Sequence, residues 1–254
     1  MNIRACIFDL DGTLIDSEPL KTDAHITAVL AMARNPPSVL EIEAAVTNLI
    51  GVPTPETAIE LVRRFDLEEE AGVRQRELGL SAPWEAYSHL HLDLYQRILD
   101  QPGTLARAQL PSAVDLLRRV RREGYLTALG SMSYRNEVQR TLDILDWHGL
   151  FDLVLAGDEV SRGKPDPEIY RRIAQALQMM PGQCLVLEDS PAGIGAALAA
   201  GMHCLAVPND LTRDAVLSMP GLDRRWIVQD SDCLLGAAER VLRSGQPLAT
   251  AGTM

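Results

Sequence analysis

The chain has 254 residues, 46% of them hydrophobic, which is enough apolar material for one full domain and a second, smaller one. Its 24 basic and 35 acidic residues give a formal net charge of -11, which argues against a general nucleic-acid or anionic-membrane surface and confines any anion-binding charge to a local pocket. No apolar run reaches membrane-spanning length, and Ala5-Cys6-Ile7-Phe8 after Met1 is too short for a signal sequence's apolar core, so a cytoplasmic protein is expected.

In chain order, Arg4 to Leu10 reads as a short buried parallel strand that ends in a loop at Asp9-Leu10-Asp11-Gly12. From about Pro19 to Asp100 the apolar residues fall three or four apart, with breaks at Pro36-Pro37, Gly51 to Pro55, Gly72 and Ala82-Pro83, and the segment is expected to be all helical. Within it Leu90, Leu94 and Ile98 share one helix face and are expected to form its core, whereas His89 and His91 diverge on a helix and are not read as a metal pair. After Pro102-Gly103 the pattern alternates. Helices are expected over Ser112 to Glu123, Arg135 to Leu145, Pro167 to Leu177 and Pro191 to Ala200. Strands are expected over Tyr125 to Leu129, Leu153 to Ala156, Gln183 to Leu187 and His203 to Val207. Arg224 to Gln229 reads as a further edge strand and Asp232 to Arg243 as a last helix. The fold class is therefore α/β, a doubly wound parallel sheet of Rossmann-like kind over residues 1–16 and 102–254, with residues 17–101 inserted after the first strand as an all-helical cap domain. Ligand sites in such sheets lie beyond the carboxyl ends of the strands, so an insertion leaving from that edge is expected to roof the site. The four cysteines, Cys6, Cys184, Cys204 and Cys233, lack CxxC spacing, and packing is the role expected of them.

Four short segments fall at or just past expected strand ends. Asp9 and Asp11, two apart, can lie on one side of the chain, with Gly12 allowing the turn; carboxylates that close either share a cation or leave one of them protonated. The same pair could simply cap a turn. Gly130-Ser131-Met132-Ser133 sets a hydroxyl and backbone N–H groups between a strand and a helix, suited to phosphate oxygens or to a plain cap at Ser133. Gly163-Lys164-Pro165-Asp166-Pro167 fixes one cation in a rigid loop, as a point charge for an anion or as a solvated lysine. Glu188-Asp189-Ser190-Pro191 offers two hard oxygen ligands of the kind magnesium takes, or an acidic helix start with Ser190 as cap and Pro191 at the first helical position. Gly193-Ile194-Gly195 lacks the third glycine of a dinucleotide loop at the required spacing.

Together and in this order the four segments resemble the haloacid dehalogenase superfamily, in its phosphatase branch with a helical cap after the first strand, as far as about Pro208. The resemblance implies a phosphatase in which Asp9 attacks phosphorus and forms an aspartyl-phosphate while Asp11 acts as acid and then base. It implies Mg2+ held by Asp9, the backbone carbonyl of Asp11, Asp189 and Glu188, and phosphate oxygens bound by Ser131, Lys164 and loop amides, Met132 among them, with Thr13 orienting the nucleophile loop beside them. The implied partner is a small phosphorylated metabolite such as a sugar phosphate, acted on by a monomer or small homo-oligomer. Within the family, 2-haloacid dehalogenation does without the second aspartate, and phosphonate cleavage would need a cap lysine, for which Lys21 alone is present. A β-phosphoglucomutase-like mutase shares every core residue, and a noncatalytic phospho-acceptor such as a receiver domain gathers similar groups in about half the length. For substrate selection the candidates are Glu18, Lys21, His25, the Gly51-Val52-Pro53-Thr54 turn, Tyr134 and Arg135, each of which could equally be solvated or packed.

Overall fold

A computed structural model describes residues 2–49 and 54–244; Gly51, Val52 and Pro53 of the candidate turn lie outside the described residues. The chain divides into two compact units, one of Met1–Asp16 with Leu105–Met254 and the other of Ser17–Thr104. The first holds a parallel five-stranded sheet of β1 (Ala5–Phe8), β2 (Leu126–Gly130), β3 (Leu153–Leu155), β4 (Cys184–Glu188) and β5 (His203–Ala206), in the order β3-β2-β1-β4-β5. The order reverses at β1: the chain builds outward to β3 on one side, then returns to start β4 on the other. The crevice between β1 and β4 is thus the topological switch point where ligands bind in open α/β sheets.

The second unit carries α1 (Glu18–Met32), α2 (Val39–Thr47), α3 (Thr54–Arg64), α4 (Glu68–Leu78) and α5 (Pro83–Leu99). Local signals start and stop them. At α2 the Ser38 hydroxyl accepts from the Glu41 N–H while the Glu41 carboxylate accepts from the Ser38 N–H, a reciprocal cap. At the end of α4, Gly79 takes φ of 67°, where a Cβ would strain. The core of this unit joins Val29, Met32, Ile42, Val46, Leu61, Val62, Leu67 and Tyr87, with Leu90 and Leu94 half-buried against it. Leu90 and Leu94 thus pack against the core as expected, but the most buried face of α5 lies beside them. Tyr87, Ser88, His91, Tyr95 and Leu99 are buried, whereas Leu90, Leu94 and Ile98 are only half-buried. Aromatic stacking decides this: the His25 ring lies 3.6 Å from that of His91, nearly parallel to it, and His25 Nδ1 shares a 2.9 Å hydrogen bond with the Tyr87 hydroxyl. His25 is thereby committed to packing, and His89 is exposed.

Burial and the neighbouring His91 push His25 down to about 2, and burial pushes His91 down to about 4, so both imidazoles are neutral in the native state. An unfolded chain takes up those protons near pH 6.5, so the contribution of these two imidazoles to stability is complete above that value and is lost as pH drops from 6.5 toward 4, by about 1.4 kcal/mol per pH unit for each imidazole still unprotonated in the folded protein. The thermal midpoint relative to that of His91→Phe should therefore fall between pH 6.5 and 4.5; parallel curves for the two proteins would clear the stack of responsibility.

The first unit continues with α6 (Thr104–Ala108), α7 (Pro111–Arg122), α8 (Arg135–Leu145), α9 (Glu168–Ala176), α10 (Pro191–Ala199), α11 (Arg213–Leu217) and α12 (Leu234–Ser244). Strand alternation sorts the sheet's side chains onto two faces. Ile7, Ala128, Val186 and Cys204 pack with Ile169, Tyr170, Ile173 and Ile194 of α9 and α10. Cys6, Phe8, Leu185 and Leu187 line a small void with Leu116 and Val120 of α7 and Leu242 of α12. Each cysteine is a free thiol, and the three in strands are buried. Arg224 to Gln229 does not form the expected edge strand: Ile227 makes only an isolated parallel bridge to Ala206. Short turns on either side stop it, where the Asp223 and Asp230 carboxylates accept from the backbone N–H groups of Arg225 and Asp232. Among the described residues no helix is long and apolar enough to cross a membrane.

Candidate active site

Asp9 is the first residue beyond β1, its N–H donating to the Leu187 carbonyl of β4, so the sheet ladder itself delivers the side chain to the switch point. Gly12 then turns the chain at φ 81°, and a Cβ there would overlap the Asp189 carboxyl. Glu188 ends β4 and Asp189 follows it. Their helix start is built as the sequence suggests: Ser190 caps α10 by accepting from the Gly193 N–H at 3.1 Å, with Pro191 in the first turn. Capping and chemistry are not rivals here, because the Ser190 hydroxyl also donates to Glu188 at 3.1 Å.

Lys164 reaches the same point from the loop before α9. Its Nζ donates at 2.6 Å to Asp9 Oδ1 and at 2.6 Å to Glu188 Oε1, and at 3.0 Å to the Gly130 carbonyl at the end of β2. Its side chain is 5% exposed, so the lysine is buried rather than solvated. Tyr170 on α9 supports both partners: its hydroxyl donates to Glu188 Oε1 at 2.8 Å, and its ring centroid lies 5.0 Å from Nζ. The Thr13 hydroxyl donates to Asp189 Oδ1 at 3.1 Å, which orients the acidic pair.

Asp11 has other hydrogen-bond partners, though its charge adds to the push on Asp9. Its carboxylate accepts from the Ser133 hydroxyl at 2.6 Å and the Ser131 hydroxyl at 3.4 Å. Ser133 therefore does not cap α8; that role passes to Tyr134, whose N–H donates to Glu137 at 3.1 Å. Ser131 is fully buried and accepts from the Ser133 N–H at 3.0 Å. Met132 is half-exposed, its side chain lying over Gly163 and its carbonyl against Gly157, where any Cβ would collide. Arg135 is tied to Glu159 and the Val154 carbonyl, and Lys21 pairs with Glu18.

Asp9, Glu188 and Asp189 are all buried, and one oxygen from each lies within 4.8 Å of the others. Burial lifts the Asp9 carboxyl above the usual range, against the pull of Lys164 and with the push of Glu188. Burial also lifts Asp189, reinforced by Asp9 and Glu188 and opposed by Thr13 and Lys164. Burial alone would lower Lys164, but the carboxylates of Asp9 and Glu188 outweigh it and keep the ammonium charged. One ammonium cannot offset three buried carboxylates. Their hard oxygen donors and uncompensated charge fit a divalent cation of the magnesium type.

The structure brings Asp9, Lys164, Glu188 and Asp189 together and sets Ser133 against Asp11 and Tyr170 and Gly193 against Glu188, three residues for which the sequence offered no such place. The sequence offered Ser133 as a plain helix cap. Gly193, read as a faint dinucleotide-loop signal, is there because a Cβ would fall inside the Glu188 carboxyl. A doubly wound sheet thus gathers an aspartate, an ammonium and an acidic pair at its switch point, where ligands of this class of α/β protein bind. The chain belongs to the haloacid dehalogenase-like hydrolase family, whose model matches residues 3–201, and within it to the phosphatase branch. It is 32% identical to validoxylamine A 7'-phosphate phosphatase of Streptomyces hygroscopicus subsp. limoneus, over 84% of this chain and 88% of that one. It is 30% identical to the phosphorylated carbohydrates phosphatase of Thermotoga maritima, over 79% and 83% of the two chains. The fold is shared with β-phosphoglucomutase from Clostridium difficile, at a TM-score of 0.67 and 22% identity over 91% of this chain and 93% of that one.

Proposed function

We propose that the protein is a magnesium-dependent phosphatase of small phosphorylated metabolites, sugar phosphates foremost, acting through an aspartyl-phosphate on Asp9. The observation that carries this reading is the division of the two aspartates. Asp9 sits in the buried acidic cluster with Lys164, while Asp11 sits among hydroxyls, and carboxyl groups in such different surroundings suit a nucleophile and a proton carrier. The names of the curated relatives support phosphate esters of sugars and sugar-like alcohols as the substrate class.

In this mechanism Asp9 attacks phosphorus through one carboxylate oxygen while the ester bond to the alkoxide breaks. Asp11 protonates the departing oxygen, then takes a proton from the water that cleaves the aspartyl-phosphate. Lys164 and the Ser131 hydroxyl bind phosphoryl oxygens, with Met132 and its neighbours supplying loop amides. Asp9, Glu188, Asp189 and the Asp11 carbonyl would hold magnesium, which when bound offsets phosphoryl charge. Thr13 and Tyr170 keep the acidic pair and the lysine in place.

A screen of phosphorylated metabolites, with magnesium and with chelator, tests the reading by the product formed. Release of inorganic phosphate that requires magnesium is expected. Isomerised sugar phosphate without release would make the protein a mutase, and a lasting phosphoprotein without turnover would make it a phospho-acceptor.

A further inference from the structure

We infer that Asn209 is a positioning residue for the acidic pair, holding the Asp189 carboxylate in the orientation that binds a divalent cation; this rests on the proposed reading of Asp189 as a magnesium ligand. Asn209 lies on the loop after β5, beyond the 3–201 span over which the family is recognised.

Asp189 is 4% exposed, and its two oxygens are each met by one side chain. Thr13 donates to Oδ1 at 3.1 Å, and Asn209 Nδ2 donates to Oδ2 at 2.9 Å. The Asn209 amide has no freedom to turn over. Its Oδ1 accepts from the Leu211 N–H at 2.9 Å, the Thr212 N–H at 3.1 Å and the Thr212 hydroxyl at 3.2 Å, so a flipped amide would set NH2 against two backbone N–H donors. The loop is further closed by the Asn209 N–H donating to Thr212 Oγ1 at 3.1 Å and by the Arg213 N–H donating to the Asn209 carbonyl at 2.9 Å. A rigid turn therefore aims one amide N–H at one oxygen of Asp189.

The type of donor matters as much as its aim. A lysine or arginine at this position would neutralise Asp189 and compete with a bound cation. Thr13 and Asn209 are uncharged: they fix the carboxylate and leave its full charge for the metal. Outer-shell groups of this kind hold a ligand's orientation, and losing one lowers metal affinity by about 10- to 100-fold.

Magnesium affinity of the purified full chain, measured by calorimetry without substrate, tests the inference. Asn209→Ser keeps a hydroxyl that can serve the loop N–H groups but is too short to reach Asp189 as the amide does. About tenfold weaker binding or worse is expected, with the magnesium needed for half-maximal turnover rising by the same factor and kcat at saturating magnesium changing much less. Leu211→Ala trims an exposed side chain of the same loop and keeps every hydrogen bond of Asn209, and its magnesium affinity should stay within about twofold of wild type. Unchanged affinity in Asn209→Ser, or an equal loss in Leu211→Ala, overturns the role given to Asn209. Asp189→Asn separates the two levels of the argument: if it too binds magnesium normally, the reading of Asp189 as a ligand fails along with the inference built on it.

Discussion

Asp9→Asn should lower turnover by about four orders of magnitude or more, the scale on which removing a nucleophile acts when its partners remain. The amide keeps the size of the carboxyl group but cannot form the phosphoryl ester, and it removes a negative charge from the metal cluster. Folding should not suffer. Asp9 is buried with its carboxyl group pushed toward the protonated form, and Glu188, which accepts from Lys164 at 2.6 Å, remains as the lysine's partner, so losing one of three crowded carboxylates relieves repulsion. A thermal midpoint in metal-free buffer at or above that of wild type, together with loss of phosphate release, is the expected pair of results. Equal activity in the variant would remove Asp9 from the chemistry. A collapsed midpoint would show that the Lys164 to Asp9 pair is structural.

The second large effect belongs to Gly193, where local propensity and tertiary contact give opposite answers. Alanine is the better helix former by about 1 kcal/mol, so Gly193→Ala, within α10, would be stabilising if the helix were alone. In the protein the new methyl group would occupy the Glu188 carboxyl. Glu188 is fully buried, and moving it breaks its bonds from Lys164 at 2.6 Å, Tyr170 at 2.8 Å and the Ser190 N–H at 3.1 Å. Loss of about 3 kcal/mol or more, the scale of a broken buried ion pair, is expected in chemical denaturation, with magnesium binding lost as well. Gly195→Ala, two residues on, is the control. Its Cβ would meet only Pro165 Cβ at 3.7 Å, an ordinary contact, and it should be neutral or slightly stabilising. Equal stability of the two variants would refute the packing argument.

The sequence by itself determined the parallel α/β class, the helical insertion and the strand tips that carry Asp9 and Glu188. These follow from local rules: apolar runs of strand length, helical periodicity, and Ser190-Pro191 at a helix start. It does not show that Arg224 to Gln229 stops short of a strand, or that His91 and Tyr95 are more buried on α5 than Leu90 and Leu94, because side-chain turns and stacked rings are interactions that periodicity does not encode. Only the tertiary structure decided which groups meet. Ser133 turns to Asp11 across 122 positions of chain, Tyr170 to Glu188, and Asn209 to Asp189, while Gly193 leaves the space that Glu188 fills. The physical reason is that strand order, set by burial of both sheet faces, carries β1 and β4 together at the switch point. Each donor's angle and each carboxylate's environment exist only once that pairing is made.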